Sequence, residues 1–394
     1  MCEVHGIAMN EADKFALVPR PPGALEKAAP GAKRVLAGMV QDALALTRTK
    51  FQAQNIPALP SDTRADLESW YEKGKDCHFG NGVTQDYTEA VKWWRKAAEQ
   101  GHAKAQCGLG MCYDHGHGVS KDYAEAVRWC RKAAEQGFAP AEFKLGTYYS
   151  EGHGVPRDAA EAFEWYRKAA GQGEALAQYS LGEFYAIGRG TSQDYAQAVK
   201  CYRKAAEQGF AAAQCNLGVC YDHGHGVPRD AAEAVKWYRK AAVQGLAGAQ
   251  CNLGASYYRG EGVSQDYAEA VRWYSKAAEQ GNSVAQKDLG WSYYHGHGVL
   301  QNYGEAVKWF RKAAAQGIAD AQGALGSMYA SGRGVSQDNV EAYKWFMLAV
   351  NNTRNVSEQR RKYLVEWMAA LSSTMTPDQI QEGERRYREF KQGG

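Results

Sequence analysis

The chain has 394 residues, 45% of them hydrophobic and 23% charged, so it can bury a large core. Its formal net charge of +3 gives no general field for nucleic acid or an anionic membrane, and no apolar run reaches the roughly 18 residues that would span a bilayer. The opening stretch MCEVHGIAMNEADKFALVPRPPG lacks a secretory signal pattern, and nine cysteines without paired spacing fit reduced thiols, so a cytoplasmic protein is expected.

Residues 1–65 form a first, non-repetitive segment. Pro19, Pro21, Pro22, Pro30, Pro57 and Pro60 mark loops, and Lys33–Phe51 is predicted to be one amphipathic helix with Leu36, Met39, Val40, Ala43, Leu44 and Leu46 largely on one side. A terminal cap over the following array is the expectation, with a tether for a partner or for self-association as the sharper reading. Cys2 follows the initiator Met, but no accompanying catalytic residues make it a nucleophile.

From 66 to 351 the chain repeats itself. Gly101, Gly137, Gly173, Gly209, Gly245, Gly281 and Gly317 are evenly spaced, as are Trp93, Trp129, Trp165, Trp237, Trp273, Trp309 and Trp345, with Cys201 in the one missing place. A fixed period of this size marks a solenoid, in which each unit covers its neighbour's apolar face. Each unit is predicted to hold two helices, A and B; in the second these are about Ala103–Asp114 and Tyr123–Gln136. Asp122 and Glu125 form a capping-box pattern at the start of helix B, and Gly137 is placed to stop it in a left-handed conformation. An apolar arc on helix B (Ala126, Val127, Trp129, Cys130, Ala133, Ala134) is wide enough to be buried on two sides. Cys201 in the Trp slot predicts weaker stacking in the fourth unit.

The stretch LGMCYDHGHGVSKDYAEAVRWCRKAAEQG at 109–137, with its seven companions, resembles the Sel1-like repeat family. The resemblance implies an all-α, right-handed α/α superhelical solenoid related in shape to tetratricopeptide arrays, about eight repeats long, with helical caps. It further implies a non-catalytic adaptor or scaffold. Residues 352–394 are expected to form the C-terminal cap as two helices, Ser357–Leu371 and Thr376–Phe390, with Pro377 at the first helical position of the second.

Two features bear on function. The first is the loop YDHGHGV at 113–119, which recurs at 221–227. Gly116 and Gly118 recur while their neighbours vary, so the glycines supply backbone angles. His115, His117 and His153 are weak metal candidates, since an H-x-H pair without a third ligand at suitable spacing is a poor signal. A metal-binding or sensory protein using these histidines is the alternative reading; no cofactor is expected.

The second feature is a division of helix A. The slots of Ala105, Gln106, Leu109, Gly110 and Tyr113 are nearly constant, so they are expected to pack; those of Lys104, Cys107, Gly108, Met111 and His115 vary. In arrays of this type helix A lines the concave side. The varied slots supply Phe143, Lys144, Tyr179, Asn216, Asn252, Lys287 and Trp291, a set suited to holding a protein or extended peptide. Helix B carries a basic stripe, such as Arg128, Arg131 and Lys132, with glutamates at helical pairing distance and no interleaved aromatics. It is read as a solvated face; neither nucleic acid nor membrane is expected as a partner.

Overall fold

A computed structural model describes residues 61–352 and 358–393. The expected helix Lys33–Phe51 and Cys2 lie outside the described residues. Two compact units are present. Of the described residues, the first takes in 61–213 and 225–227, and the second 214–224 and 228–393. The first contains α1 (Ser61–Phe79), α2 (Tyr87–Glu99), α3 (Ala103–His115), α4 (Tyr123–Glu135), α5 (Ala139–Glu151), α6 (Ala159–Gly171), α7 (Ala175–Ile187) and α8 (Tyr195–Glu207). The division falls within α9 (Ala211–His223). The second unit continues with α10 (Ala231–Val243), α11 (Ala247–Arg259), α12 (Tyr267–Glu279), α13 (Ser283–His295), α14 (Tyr303–Ala315), α15 (Ala319–Ser331), α16 (Asn339–Asn351), α17 (Glu358–Ser372) and α18 (Pro377–Gly393). Among the described residues there are helices and no strands. Within each unit, apart from α9 at the division, each helix A pairs with its own helix B, and each helix B with the next helix A. Each unit is thus an all-α solenoid.

Local chemistry sets the helix ends. The Asp122 carboxylate accepts from the Ala124 and Glu125 N–H groups at 2.9 and 3.1 Å, and acids or amides do the same at the other B helices. The expected reciprocal half of the capping box is not made. The Asp122 N–H donates instead to the Tyr113 carbonyl at the end of helix A, and Glu125 is left to pair with Arg128 at 2.8 Å. A complete box does occur at α18, where Thr376 and Gln379 exchange side-chain-to-backbone bonds. Gly137 has φ +77, and the Gly137 and Phe138 N–H groups return to the Ala134 and Ala133 carbonyls, which closes a Schellman motif.

The core is built on one recurring contact. Gly182 of helix A lies flat against Tyr202 of helix B, so that an added Cβ would meet the ring at 2.7 Å. The same slots pair Gly74 with Trp94, Gly146 with Tyr166, Gly218 with Tyr238, Gly254 with Tyr274, Gly290 with Phe310 and Gly326 with Phe346. This ring slot lies one residue beyond the Trp of the sequence pattern. In the fourth repeat it is filled by Tyr202, 1% exposed, while Cys201 stands half-buried at the rim. Replacement of Trp by Cys there removes a rim ring and leaves the core ring in place. Beside this contact the leucine slots (Leu109, Leu145, Leu217, Leu253, Leu289, Leu325) are fully buried.

A second recurring contact joins repeats. The buried Gln106 donates to the Ala98 carbonyl of the preceding helix B and accepts from Gln136 at the end of its own. Gln250 and Gln286 repeat both bonds with Gln280 and Gln316. In the third repeat the slot holds Glu142, 4% exposed, which accepts from Gln172 at 2.8 Å. An ionised Glu142 has no N–H for the equivalent carbonyl, that of Ala134. The array ends at α17 and α18, which pack on α16; Leu364 is fully buried there.

Three substitutions probe the glycine packing and the glutamine ladder. Gly182→Ala should lower stability by about 1–3 kcal/mol in urea melts, through overpacking against Tyr202. Gly248→Ala, where an added Cβ meets nothing within 4 Å, should raise it by about 0.5 kcal/mol. Glu142→Gln should add about 1 kcal/mol at neutral pH by completing the ladder. Burial raises the Glu142 carboxyl above its ordinary range despite the Gln172 bond and Lys168. Its contribution is therefore present below the unfolded carboxyl pKa and is lost as pH rises through the folded value. The gain from Gln should accordingly shrink in acid; a gain that is independent of pH would refute the assignment.

Candidate partner-binding face

The side chains expected to face a partner come from the varied slots of helix A, but those slots are less open than the helical period implies. In α3, Ala105, Gln106, Cys107, Gly108, Leu109, Gly110 and Cys112 are all buried. The reason is geometric: helix A is flanked by its own helix B and by the preceding one, so burial wraps most of its circumference. What is left is a shallow, half-buried strip.

In the first unit that strip carries Phe143, tilted against Tyr166 at 5.5 Å, and Lys144, 3.4 Å from Asp114. Tyr179 stands edge-on to Phe210 at 5.1 Å and donates to Glu183 at 2.7 Å. The second unit carries Asn216 and Asn252 in one slot of successive helices. Asn252 spends its side-chain amide on the Cys215 sulfur at 3.9 Å, and Asn216 makes no hydrogen bond among the described residues. Lys287 lies 3.0 Å from Asp288; burial opposes its charge, yet Asp288 and Asp320 outweigh that and hold the ammonium above its usual range. Trp291 stacks on His295 at 5.5 Å and meets Phe310 edge-on at 5.1 Å. The structure thus brings Asn216, Asn252, Lys287 and Trp291 onto one unit, and Phe143, Lys144 and Tyr179 onto the other.

The loop histidines have a structural occupation. His117 lies face to face with Tyr87, the first residue of the preceding helix B, at 4.4 Å and 17°. His153 lies on Tyr123 at 4.5 Å, His225 on Tyr195 at 4.8 Å and His297 on Tyr267 at 4.8 Å. Gly118 permits the stack: an added Cβ would come within 2.3 Å of the Tyr87 carbonyl oxygen. Where the ring partner is Ala159 or Ala231, the loop slot holds Arg189 or Glu261 instead. Among the described residues no group of three or more His, Cys, Asp or Glu is arranged to hold a metal ion. The eight cysteines among them form no disulfide, and six of them are buried.

Most cations of helix B are engaged within the fold. Arg95, Arg131 and Arg239 donate to the Tyr113, Tyr149 and Tyr257 hydroxyls at 2.8, 2.8 and 2.6 Å, and Arg311 donates to Tyr329. Lys132, Lys168, Lys240, Lys276 and Lys312 lie over the Trp129, Trp165, Trp237, Trp273 and Trp309 rings, 3.8–4.3 Å from the centroids. Lys92, Arg128, Lys236, Arg272 and Lys308 pair with the glutamate one turn earlier.

Sequence reasoning missed the Tyr–His stacks and His78. The stacks are written in the chain as a partly correlated exchange between slots in successive repeats: every His in the slot of His117 faces a Tyr and both Ala face Arg or Glu, while Tyr303 faces Arg333, whose guanidinium lies 5.9 Å from its ring centroid. His78, near the end of α1, sits 5.6 Å from His117 and 5.0 Å from Trp94, and its buried Nδ1 has no hydrogen-bond partner.

Helix pairs of constant length, a constant core contact and a varied strip define a repeat solenoid. Profile comparison identifies the repeat: the Sel1 repeat matches residues 70–102, 103–138, 139–174, 175–210, 211–246, 247–282, 283–318 and 319–352, and the chain belongs to that family. A protective antigen present in uropathogenic Escherichia coli strains, displaying an SLR fold, is 30% identical with a TM-score of 0.51 over 84% of this chain and 92% of its own. A Sel1 repeat protein from Oxalobacter formigenes is 35% identical with a TM-score of 0.57 over 62% of this chain and 96% of its own. No curated protein matches.

Burial, with the His117 and His115 rings, pushes the His78 imidazole down to about 4. A depressed folded pKa contributes stability above the unfolded value that is lost as pH falls. Melting temperature should therefore drop between about pH 6.5 and about 4, and His78→Phe should flatten that drop. An identical pH profile in the variant would show that His78 is not responsible.

Proposed function

We propose that this protein is a non-catalytic adaptor that holds a protein or extended peptide along the helix-A strip. The fold class supports the general role, since Sel1 and related helical arrays are typically protein-interaction scaffolds. One observation carries the choice of face. On helix B most cations are taken up by tyrosine, tryptophan and glutamate, whereas on helix A the Asn216 amide is half-buried with no hydrogen bond among the described residues, one repeat from Asn252. Half-buried amides can donate to and accept from a peptide backbone without regard to its sequence, and Trp291 offers a flat apolar anchor beside them. Lys287 extends this strip on the same unit, and Phe143, Lys144 and Tyr179 belong to the corresponding helix-A strip of the other unit.

The experiment is affinity capture with three proteins: wild type, a variant carrying Asn216→Ala, Asn252→Ala and Trp291→Ala, and a helix-B control carrying Lys132→Ala, Lys240→Ala and Lys276→Ala. Thermal melts check that all three fold. A partner held by wild type and control and lost by the first variant is expected, with affinity reduced roughly tenfold or more. Retention by the first variant with loss in the control would move the site to helix B and end this reading.

A further inference from the structure

One junction departs from the rest, and the array supplies its own control for it. The third and fifth repeats share a loop in which Pro156-Arg157 and Pro228-Arg229 precede the N-cap, with Ala159 and Ala231 in the slot of Tyr87, Tyr123, Tyr195, Tyr267 and Tyr303. The ring stack is missing at both junctions, which opens the space that the ring fills elsewhere. At the junction of the fifth and sixth repeats, Arg229 Nη2 lies 4.0 Å from Glu261 Oε1, and Glu261 also takes Arg259 Nε at 2.6 Å. Those two slots, an arginine before the N-cap and the second loop residue of the next repeat, therefore face each other.

At the junction of the third and fourth repeats the same slots hold Arg157 and Arg189. Arg189 is held in place: its Nη2 donates to the Ser150 carbonyl at 2.6 Å, and its guanidinium lies 5.0 Å from the Phe184 ring centroid. Arg157 is exposed. Among the described residues no carboxylate stands within ion-pairing distance of either guanidinium. The acids nearby have other duties. Glu151 is 3.1 Å from His153, Glu183 accepts from Tyr179, and Asp158 caps the Ala160 and Glu161 N–H groups. Burial, followed by the charge of Arg157, disfavours the Arg189 cation more than these acids support it.

We propose that Arg157 and Arg189 form an oxyanion site that takes a phosphoryl group, free or esterified, where the sister junction holds Glu261. Arg229 and Arg259 are satisfied there by one carboxylate of the chain itself. Two guanidiniums with no internal carboxylate call for an external anion, and their planar forks match the several oxygens of a phosphoryl dianion. The site is independent of the helix-A reading.

The test uses the full chain at low ionic strength, with inorganic phosphate, phosphoserine and acetate as probes and calorimetry and thermal melts as readouts. Phosphate or phosphoserine should bind wild type and raise its melting temperature, with the response falling as salt rises; acetate should do so at least about tenfold more weakly. Arg189→Glu rebuilds the sister pair, so it should lose the phosphate response while melting no lower than wild type. Arg157→Gln installs the residue found in this slot at Gln85, Gln193, Gln265, Gln301 and Gln337, so it should fold and should weaken binding about tenfold. A preference for phosphoserine over inorganic phosphate would point to an esterified group, and the reverse to the free ion. No response in wild type, an undiminished response in either variant, or acetate equal to phosphate would overturn the proposal.

Discussion

The contact on which the rest depends is the approach of the loop glycine to the preceding helix B. At Gly118 the backbone comes so close to the Tyr87 carbonyl that no side chain fits, and Gly154, Gly190, Gly226, Gly262, Gly298 and Gly334 repeat the arrangement. Positive φ alone would permit Asn as well as Gly; the absence of room for a Cβ is the stricter condition. Because that contact fixes the distance between successive loops, the next loop residue can lie flat on the preceding tyrosine, and the buried glutamines can reach both a carbonyl behind and an amide of their own helix pair. Register between repeats is thus set by backbone proximity at the loop and by flat glycine-on-ring packing in the core. Neither contact needs long-range charge.

How much of this was legible in the sequence varies with how local the cause is. The helix starts at Asp122 and its equivalents and the stops at Gly137 and its equivalents depend on a few neighbouring residues, and they could be read directly. The reciprocal half of the capping box could not, because the Asp122 N–H is claimed by Tyr113 of another helix. The helical period misjudged the Cys107 and Gly108 slots for a related reason. A period describes one helix against one neighbour, while helix A here has neighbours on several sides. Likewise, Trp237 and Tyr238 are neighbours on helix B, and size alone favours the Trp slot as the core; Gly218, which lies against the Tyr238 ring, decides otherwise.

The varied residues sort into two kinds once the contacts are known. Some vary together, as Tyr87 with His117 and Ala159 with Arg189 do, and their variation is settled inside the fold. Others, such as the slot that holds Lys144, Ser180, Asn216, Asn252 and Asp288 in turn, change along the array without so regular a counterpart. Helix B belongs to the first kind almost throughout, since its lysines rest on tryptophans and its arginines reach tyrosines of the next helix. Variation with no internal counterpart is what a surface shaped by an outside molecule would leave.

The pairing of Tyr87 with His117 also bears on how such a chain can grow. Each ring and its partner belong to different repeats, so a gene duplication joined at an arbitrary point can seat a histidine opposite an alanine and leave it no ring to rest on. A joint falling between His117 and Tyr123 separates no such pair, because every ring then travels with the loop that rests on it. Exchange across the glutamine ladder is nearly silent by comparison, since the same residue stands on both sides of most steps. The heritable module of this array would therefore begin at the first turn of helix B and end in the following loop, out of phase with the helix pair that the eye picks out as the repeat.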